Sequence, residues 1–563
     1  MPSHKILNIP PEDALLQKTL KSQIGVSSVL AQVLINRGIT ASQEAVNFLN
    51  PQLKSMHDPF LFKDMHKAVD LIKKAQSKKQ NVLLHGDYDT DGVTSLAVLK
   101  ITFDKLGINT FSFIPHRVKH GYGVNKDILT LAKAKNVSLV VTADCGTSSH
   151  EEINALNQHG IEVVVTDHHK PSLDMLPQCQ AMINPKIEGS GYPYPELAGV
   201  GVAYKLCQAL TGENLAELLD LVCLGTIADV VPLTGENRII AKEGLNNLFS
   251  ASRVGIKALM QSSRLNNKRL SSHYVSFILG PRINASGRMD SAHLSLDLLL
   301  SNNPENAQVL ASQIESANRS RQKVESQIIE EAREIINREV NFKEHKVIVV
   351  AKHGWHEGVL GIVASKLADQ FYRPTIVISL GEKFCKGSGR SIKNFHLFDA
   401  LADCKEFLHN FGGHEHAVGL SVDKDNIQDF RSQINKLAHQ RLSIEDLLPS
   451  IEVDMRLSLA DLSRDLAWEI RKLEPFGSGN PQPLFYSTGL KLKGAPQVLA
   501  RDTLKFWVTD GKNTITAIAF GMGSSLESLV NSQQIDLVYS LGIDSWQGED
   551  SLLLEVKEIF FKP

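Results

Sequence analysis

Three short stretches, NVLLHG from Asn81, VSLVVTAD from Val137 and IEVVVTD from Ile161, run apolar almost throughout and are separated by helix-like segments. Strands that are apolar on both faces, with helices between them, predict a parallel sheet covered on each side and hence an α/β fold. TFSFIP from Thr110 adds a strand, while GVTSLAVLKITFDKLG, NKDILTLAKAK and SHEEINALNQHG have the spacing of the covering helices. Each of the three apolar runs leads into aspartate: Asp87, Asp89 and Asp91 after the first, Asp144 at the end of the second, Asp167-His168-His169 closing the third. Open parallel sheets bind ligands in the crevice beyond the carboxyl ends of their strands, so these residues are predicted to share one edge.

The rest of the 563 residues is too long for one core. Residues 1 to about 75 read as helices punctuated by Pro and Gly. Helix-rich segments follow the sheet around 197–224 and 238–260. Residues 305–353 contain neither Gly nor Pro, and ENAQVLASQIESANRSRQKVESQIIEEAREII reads as a long helix spacing two domains. A second alternating block then begins with HKVIVVA, GVLGIVASKLADQF and RPTIVIS. After Pro449 the pattern is mostly β, and LKFWVTDGKNTITAIAF predicts a hairpin around Asp510-Gly511, with Trp507 in the core.

Composition excludes several function classes. Sixty Lys and Arg against 62 Asp and Glu give a formal charge of −2, so any grip on nucleic acid must come from a local groove. Six cysteines include no Cys-x-x-Cys pair, which argues against a zinc ribbon and a disulfide framework. MPSHKILNIPPEDALLQKTL lacks the apolar core of a signal peptide, and no apolar run is long enough for a bilayer. A cytoplasmic protein without membrane contact is expected.

Asp87, Asp89 and Asp91 are close enough to repel, so a cation is expected among them. They resemble the opening of a calcium-binding EF-hand loop, but the twelfth position, which needs a bidentate Glu, is Val98. A lone aspartate at a strand end usually caps a helix, and Asp91 could do so in part. Convergence of several strand ends favours metal chemistry instead. GTIADVVPL adds Asp229. Carboxylate and imidazole without thiolate suit Mn²⁺ or Mg²⁺, and so many ligands suggest a two-metal site for phosphoester hydrolysis.

With DYDTDG, TADCG, DHH and ADVVPL in this order, the chain resembles the DHH phosphoesterase superfamily. LGPRINASGRM, GWHEGVLGIVASKLADQFYRP, GSGRS, GGHEHAVG and LEPFGSGNPQPLF are similar to motifs of its RecJ family, exonucleases specific for single strands. The resemblance implies a helical segment over 1–75, a parallel-sheet DHH domain over 76–300, a connecting helix over 301–342, a DHHA1 domain over 343–448 and an OB-type nucleic-acid-binding domain over 449–563. It implies 5′ to 3′ hydrolysis of single-stranded DNA to 5′-mononucleotides in repair and recombination. Asp87, Asp89, Asp91, Asp144, His168 and Asp229 would surround two Mn²⁺ or Mg²⁺ ions. Asp167 and His169 would act beside them, orienting His168 or contacting the scissile phosphate. His85 stands where related phosphatases carry a metal-binding histidine. Arg117, Ser388 and Arg390 would hold the 5′-phosphate, with His414 a further substrate contact. Arg282, Asn284 and Arg288, in what reads as a short polar loop, and Lys119 and Tyr122 after the TFSFIP strand, add candidate contacts. A single-strand-binding protein and a helicase are the implied partners of a monomer. Two rivals are a hydrolase of very short oligonucleotides and a non-catalytic binding protein of the same fold.

Overall fold

A computed structural model describes residues 5–117, 121, 123–171, 176–250, 252–266, 268–382, 384–546 and 549–562; Lys119 and Tyr122 lie outside them. The apolar runs form a five-stranded sheet in the order Thr110–Phe113, Asn81–Gly86, Val137–Ala143, Glu162–Thr166, Ala181–Ile183, parallel throughout. Buried helices Thr90–Lys105, Gly199–Thr211 and Leu219–Ala228 cover one face. The register matters most. Gly86 pairs with Ala143, Ala143 with Thr166 and Thr166 with Ile183. The residues that follow, Asp87, Asp144, Asp167 and Asn184, therefore leave the sheet side by side.

One helix of 36 residues, Pro304–Glu339, spans about 54 Å. Asn303 caps it and Pro304 starts it, where a missing N–H costs nothing. Ala307, Ala311 and Ile314 join the core of the parallel-sheet domain, and Ile328, Ala332 and Ile336 join the core of the next. Between them its buried positions are polar: Asn318, Arg321 and Glu325.

The second domain is a five-stranded sheet in the order Leu408–His414, Ala417–Val422, Cys385–Arg390, Thr375–Leu380, Ile348–His353, mixed in direction. GSGRS, which composition would equally allow as a turn, extends a strand because its glycines admit close neighbours. A Cβ on Gly389 would stand 2.7 Å from Val418 Cγ2. Val418 is itself buried in that core.

In the C-terminal domain, Phe485–Leu492 pairs with both Gln534–Trp546 and Thr503–Thr509, and the strands between close the ring into a five-stranded barrel. The predicted hairpin pairs Thr509 with Thr514. Phe506 is in the core, whereas Trp507, expected there, is half-buried on the opposite face with Lys505 Nζ 5.8 Å from its ring. Strand alternation gives the core only one of two adjacent aromatics.

The N-terminal helices serve two bodies. Ala14–Ile24, Ser28–Asn36 and Ser42–Leu49 share one core with the barrel, and Ile6–Asn8 pairs with Ser450–Glu452. Met65–Ser77 packs instead on the parallel sheet. GPRINASGR, expected as a loop, is a helix, Gly280–Met289. Pro281 sits in its first turn, and Gly287 is needed because the Tyr88 carbonyl would lie 2.7 Å from a Cβ there.

Candidate active site

Asp89 caps the helix Thr90–Lys105, its side chain accepting from Gly92 N at 3.0 Å. The cap is thus Asp89 rather than Asp91, which lies within the first turn. Asp91 is buried against the start of another helix and accepts from Gly199 N at 2.7 Å and Val200 N at 2.8 Å. Asp144 has φ of +62°, a left-handed conformation costing a non-glycine residue roughly 1–2 kcal/mol. The turn brings its carboxylate to His168, with Oδ1 3.2 Å from Nε2. Asp229, at the end of the helix Leu219–Ala228, places Oδ2 3.6 Å from the same nitrogen, and Asp91 Oδ2 is 3.7 Å away.

Among the described residues, three sets of ligand atoms each lie within 4.8 Å of one another: Asp144, His168 and His169; Asp91, His168 and Asp229; Asp87, Asp89 and Asp144. Asp87 Oδ1, Asp144 Oδ1 and His168 Nε2 are buried and have no hydrogen-bond partner among the described residues. Burying such atoms unpaired is expensive, and divalent cations satisfy all of them at once. The donors are oxygen and imidazole, which fits Mn²⁺ or Mg²⁺. His85 belongs to none of these sets. It is buried against Phe113 with Nδ1 3.5 Å from Cys145 Sγ.

Asp167 belongs to none of the three sets. Its Oδ1 accepts from the backbone of His168 and His169 at 2.7 and 3.1 Å and from His169 Nδ1 at 2.8 Å, while Oδ2 accepts from Thr147 N at 2.9 Å. It orients the His169 ring, not that of His168. Adjacent side chains at a strand end diverge, and only the residue two further on returns to the same side.

The electrostatics follow from burial. Asp87, Asp144 and Asp229 are pushed well above the usual carboxylate range by burial and then by neighbouring carboxylates; Asp91 rises to about 7 for the same reasons. Burial lowers His168 to about 3, with His169 contributing. Burial also opposes charge on His169, but the bond to Asp167 overcomes it and raises His169 to about 9.

These shifts set a pH dependence for the metal-free protein. Asp91 and His169, both raised, stabilise the fold when protonated, and that contribution is lost as pH rises through about 7 and about 9. His85 and His168, lowered to about 4 and about 3, act in the opposite sense only below their ordinary value near 6.5. With EDTA, the melting temperature is therefore expected to fall between pH 7 and pH 9, and saturating Mn²⁺ should flatten the slope. Asp91 has lost its contribution by about pH 7, so this window reads His169, and a rising or level profile in EDTA would count against its bond to Asp167.

Several residues that hold the site carry no chemistry and were not singled out in the sequence. A Cβ on Gly199 would stand 2.5 Å from Asp144 Oδ1, and one on Gly225 2.9 Å from Asp91 Oδ1. Asn184, fully buried, donates Nδ2 to Thr147 Oγ1 and to the His169 carbonyl, both at 2.9 Å. Its signal was available: AMINP is a fourth apolar run stopping at the same edge.

Across the cleft the charge reverses. The Arg117 guanidinium lies 4.9 Å over the Tyr88 ring and favours the charged form of Asp87. Burial and then Arg117 lower both Arg288, to about 9, and Arg390; His414 is lowered by burial and by Arg390. Arg117 and Arg288 of the first domain and Arg390 and His414 of the second are thus within electrostatic reach of one another, with Arg288 also sensing Asp89 and His414 sensing His169. Ser388 and Arg390 lie at the start of the helix Leu360–Phe371, where a Cβ on Gly361 would be 3.2 Å from Ser388 Oγ and 3.1 Å from Arg390 Nη2. Arg288 donates to the Gly358 carbonyl at 3.2 Å. Two residues expected at the substrate are used within the protein. Arg282 pairs with Glu315 of the connecting helix at 2.8 Å, and Asn284 accepts from Thr90 N at 2.7 Å. The helix built from GPRINASGR turns them in different directions.

Residues 81–226 match the DHH family, N-terminal domain, residues 344–440 the DHHA1 domain and residues 453–558 the RecJ OB domain. The single-stranded-DNA-specific exonuclease RecJ of Bacillus subtilis is 38% identical over 552 residues, covering 98% of this chain and 70% of that protein. The chain belongs to the RecJ family. RecJ of Escherichia coli is 33% identical over 558 residues, 94% of this chain and 96% of that one. The crystal structure of RecJ from Thermus thermophilus in complex with Mn²⁺ matches with a TM-score of 0.83 at 27% identity, covering 99% of this chain and 79% of that chain. The Mg²⁺ complex of that RecJ matches with a TM-score of 0.77 at 26% identity, covering 99% and 78%.

Proposed function

We propose that this chain is a metal-dependent exonuclease that hydrolyses single-stranded DNA from the 5′ end and releases 5′-mononucleotides. The observation that carries the reading is an edge of carboxylate and imidazole atoms without hydrogen-bond partners among the described residues, with the guanidinium groups of Arg117, Arg288 and Arg390 in electrostatic reach of one another beside it. Asp87, Asp89, Asp91, Asp144, His168 and Asp229 would hold two Mn²⁺ or Mg²⁺ ions, which supply an acidified water and charge stabilisation in phosphoester hydrolysis. Asp167 keeps a proton on His169 Nδ1 and so sets that ring beside Asp144, where it contacts the scissile phosphate. Arg117 and Arg288 hold phosphate oxygens opposite the carboxylates.

Polarity follows from Ser388 and Arg390. At a helix start, with N–H groups and positive dipole aligned, they form a pocket for a terminal phosphate. Arg390→Ala is expected to lower kcat/KM on 5′-phosphorylated strands by roughly 10–100-fold, the worth of a charge-assisted bond, with little change on 5′-hydroxyl strands. Equal losses on both would assign Arg390 elsewhere.

A groove of about 1240 Å³ between the helix Gly235–Ser250, residues 269–277 and the barrel favours a polymer over a short oligonucleotide. Phe249, Phe277 and Phe520 are 52%, 69% and 63% exposed along it, beside Lys242, Arg269 and Lys557. Aromatic faces interleaved with cations hold single strands without reading sequence. One 5′-phosphorylated strand, labelled at either end and incubated with Mn²⁺ or EDTA, tests the whole reading. Early 5′-mononucleotide release, abolished by chelation, is expected; 3′ release or cutting in EDTA would overturn it. A single-strand-binding protein, a helicase and a cytoplasmic setting belong to the same proposal. Among the described residues no helix is long and apolar enough to cross a membrane.

A further inference from the structure

Arg238, in the helix Gly235–Ser250, is 1% exposed, and among the described residues no carboxylate pairs with it. A guanidinium buried this way must have its N–H groups satisfied. Backbone carbonyls from two other parts of the chain satisfy them. Nε donates to Phe48 O at 2.6 Å, Nη1 to Leu473 O at 2.8 Å, and Nη2 to Lys472 O and Glu474 O at 3.2 and 3.1 Å. Asn480 draws the same loop together, donating Nδ2 to Leu473 O and Pro475 O at 2.8 and 2.9 Å, and Arg37 Nε holds Asn480 Oδ1 at 2.8 Å. The loop is the start of LEPFGSGNPQPLF, to which the catalytic reading assigns no chemistry.

The loop in turn grips the segment that follows Asp229. Leu233 N donates to Ser478 O at 2.7 Å. A Cβ on Gly477 would stand 2.7 Å from Leu233 Cδ1, and one on Gly479 2.9 Å from Pro232 Cβ. Between this grip and Asp229 lies Val230, left-handed at φ +63° and 64% exposed. A β-branched residue does not keep that conformation by its own preference, and an exposed one does not keep it by packing. The turn that aims Asp229 is therefore held from outside.

We propose that the loop Lys472–Asn480, clamped by Arg238, is a positioning element for Asp229, so that the C-terminal domain completes the cation site at the edge of the parallel sheet. The proposal rests on the metal-centre reading above. It places Arg238, Gly477 and Asn480 behind a ligand they do not touch.

Calorimetric titration of Mn²⁺ into the full chain, freed of metal, tests it. Arg238→Lys and Gly477→Ala are each expected to weaken Mn²⁺ binding about 10-fold or more, as loss of a support behind a metal ligand does. Both should raise the Mn²⁺ concentration for half-maximal hydrolysis more than they lower the rate at saturation. In an Asp229→Ala background neither should weaken binding further, because the group they position is gone. Unchanged Mn²⁺ affinity with a lowered melting temperature, or losses that add to that of Asp229→Ala, would overturn the proposal and leave the loop a domain fastener. A wild-type chain that takes up no Mn²⁺ would remove the metal-centre reading, and the positioning role with it. Gly477→Ala decides the matter if Arg238→Lys does not fold.

Discussion

Asp144→Asn is expected to bind single-stranded DNA normally and to hydrolyse it about 10³-fold more slowly or worse, roughly 4 kcal/mol of barrier. Asp144 belongs to two of the three sets of converging ligand atoms, so no other residue replaces its charge. Asparagine keeps the volume and one acceptor oxygen but loses the anion. The same change should raise the melting temperature of the metal-free protein, because burial and the neighbouring Asp91 and Asp89 already oppose that charge. Stability and activity then move in opposite directions, the mark of a residue kept for function. Single-turnover rates, strand binding in EDTA and a melt together check the result. Hydrolysis within about 10-fold of wild type would show that Asp144 is not the shared ligand.

Gly199→Ala is the second large effect, although glycine has no side chain to contribute. In a helix, alanine is favoured over glycine by about 1 kcal/mol, so local stability predicts a mild gain. The Cβ would however stand 2.5 Å from Asp144 Oδ1 and 2.7 Å from its carboxyl carbon, while the Gly199 and Val200 N–H groups hold Asp91. Two ligands must move together. A loss of about 10²-fold in activity at limiting Mn²⁺, partly recovered at high Mn²⁺, is expected with the fold intact. Near wild-type behaviour at limiting Mn²⁺ would mean that the helix start yields more easily than its packing suggests.

The sheet and its reactive edge were legible in the sequence because one physical pattern governs both. Apolar runs specify parallel strands, and the residue after each run is carried to the ligand crevice by register alone. The chemistry of the second domain was less so. Ser388 and Arg390 acquire meaning only because a strand sets them under a helix start some thirty residues earlier in the chain. Gly and Pro in GPRINASGR pointed to a loop, and the helix was hidden because glycine there answers a close approach by Tyr88, a residue distant in sequence. Asp167 stands out in the sequence at a strand end, but which histidine it bonds depends on side-chain direction there. Gly199 and Arg238 left no mark of their own. Each is defined by what lies across from it.

The first fifty residues and the last hundred bury one another, with the two sheet domains lying between them in sequence. A ribosome therefore releases Leu30, Val33 and Phe48 long before Phe485, Leu504 and Tyr539 exist to cover them. The opening helices must wait, apolar and unpaired, through most of translation, which is the condition under which chaperones are recruited and misassembly competes. Chain order also makes this contact a late seal. An enzyme truncated before its barrel is missing its own beginning as well as its end.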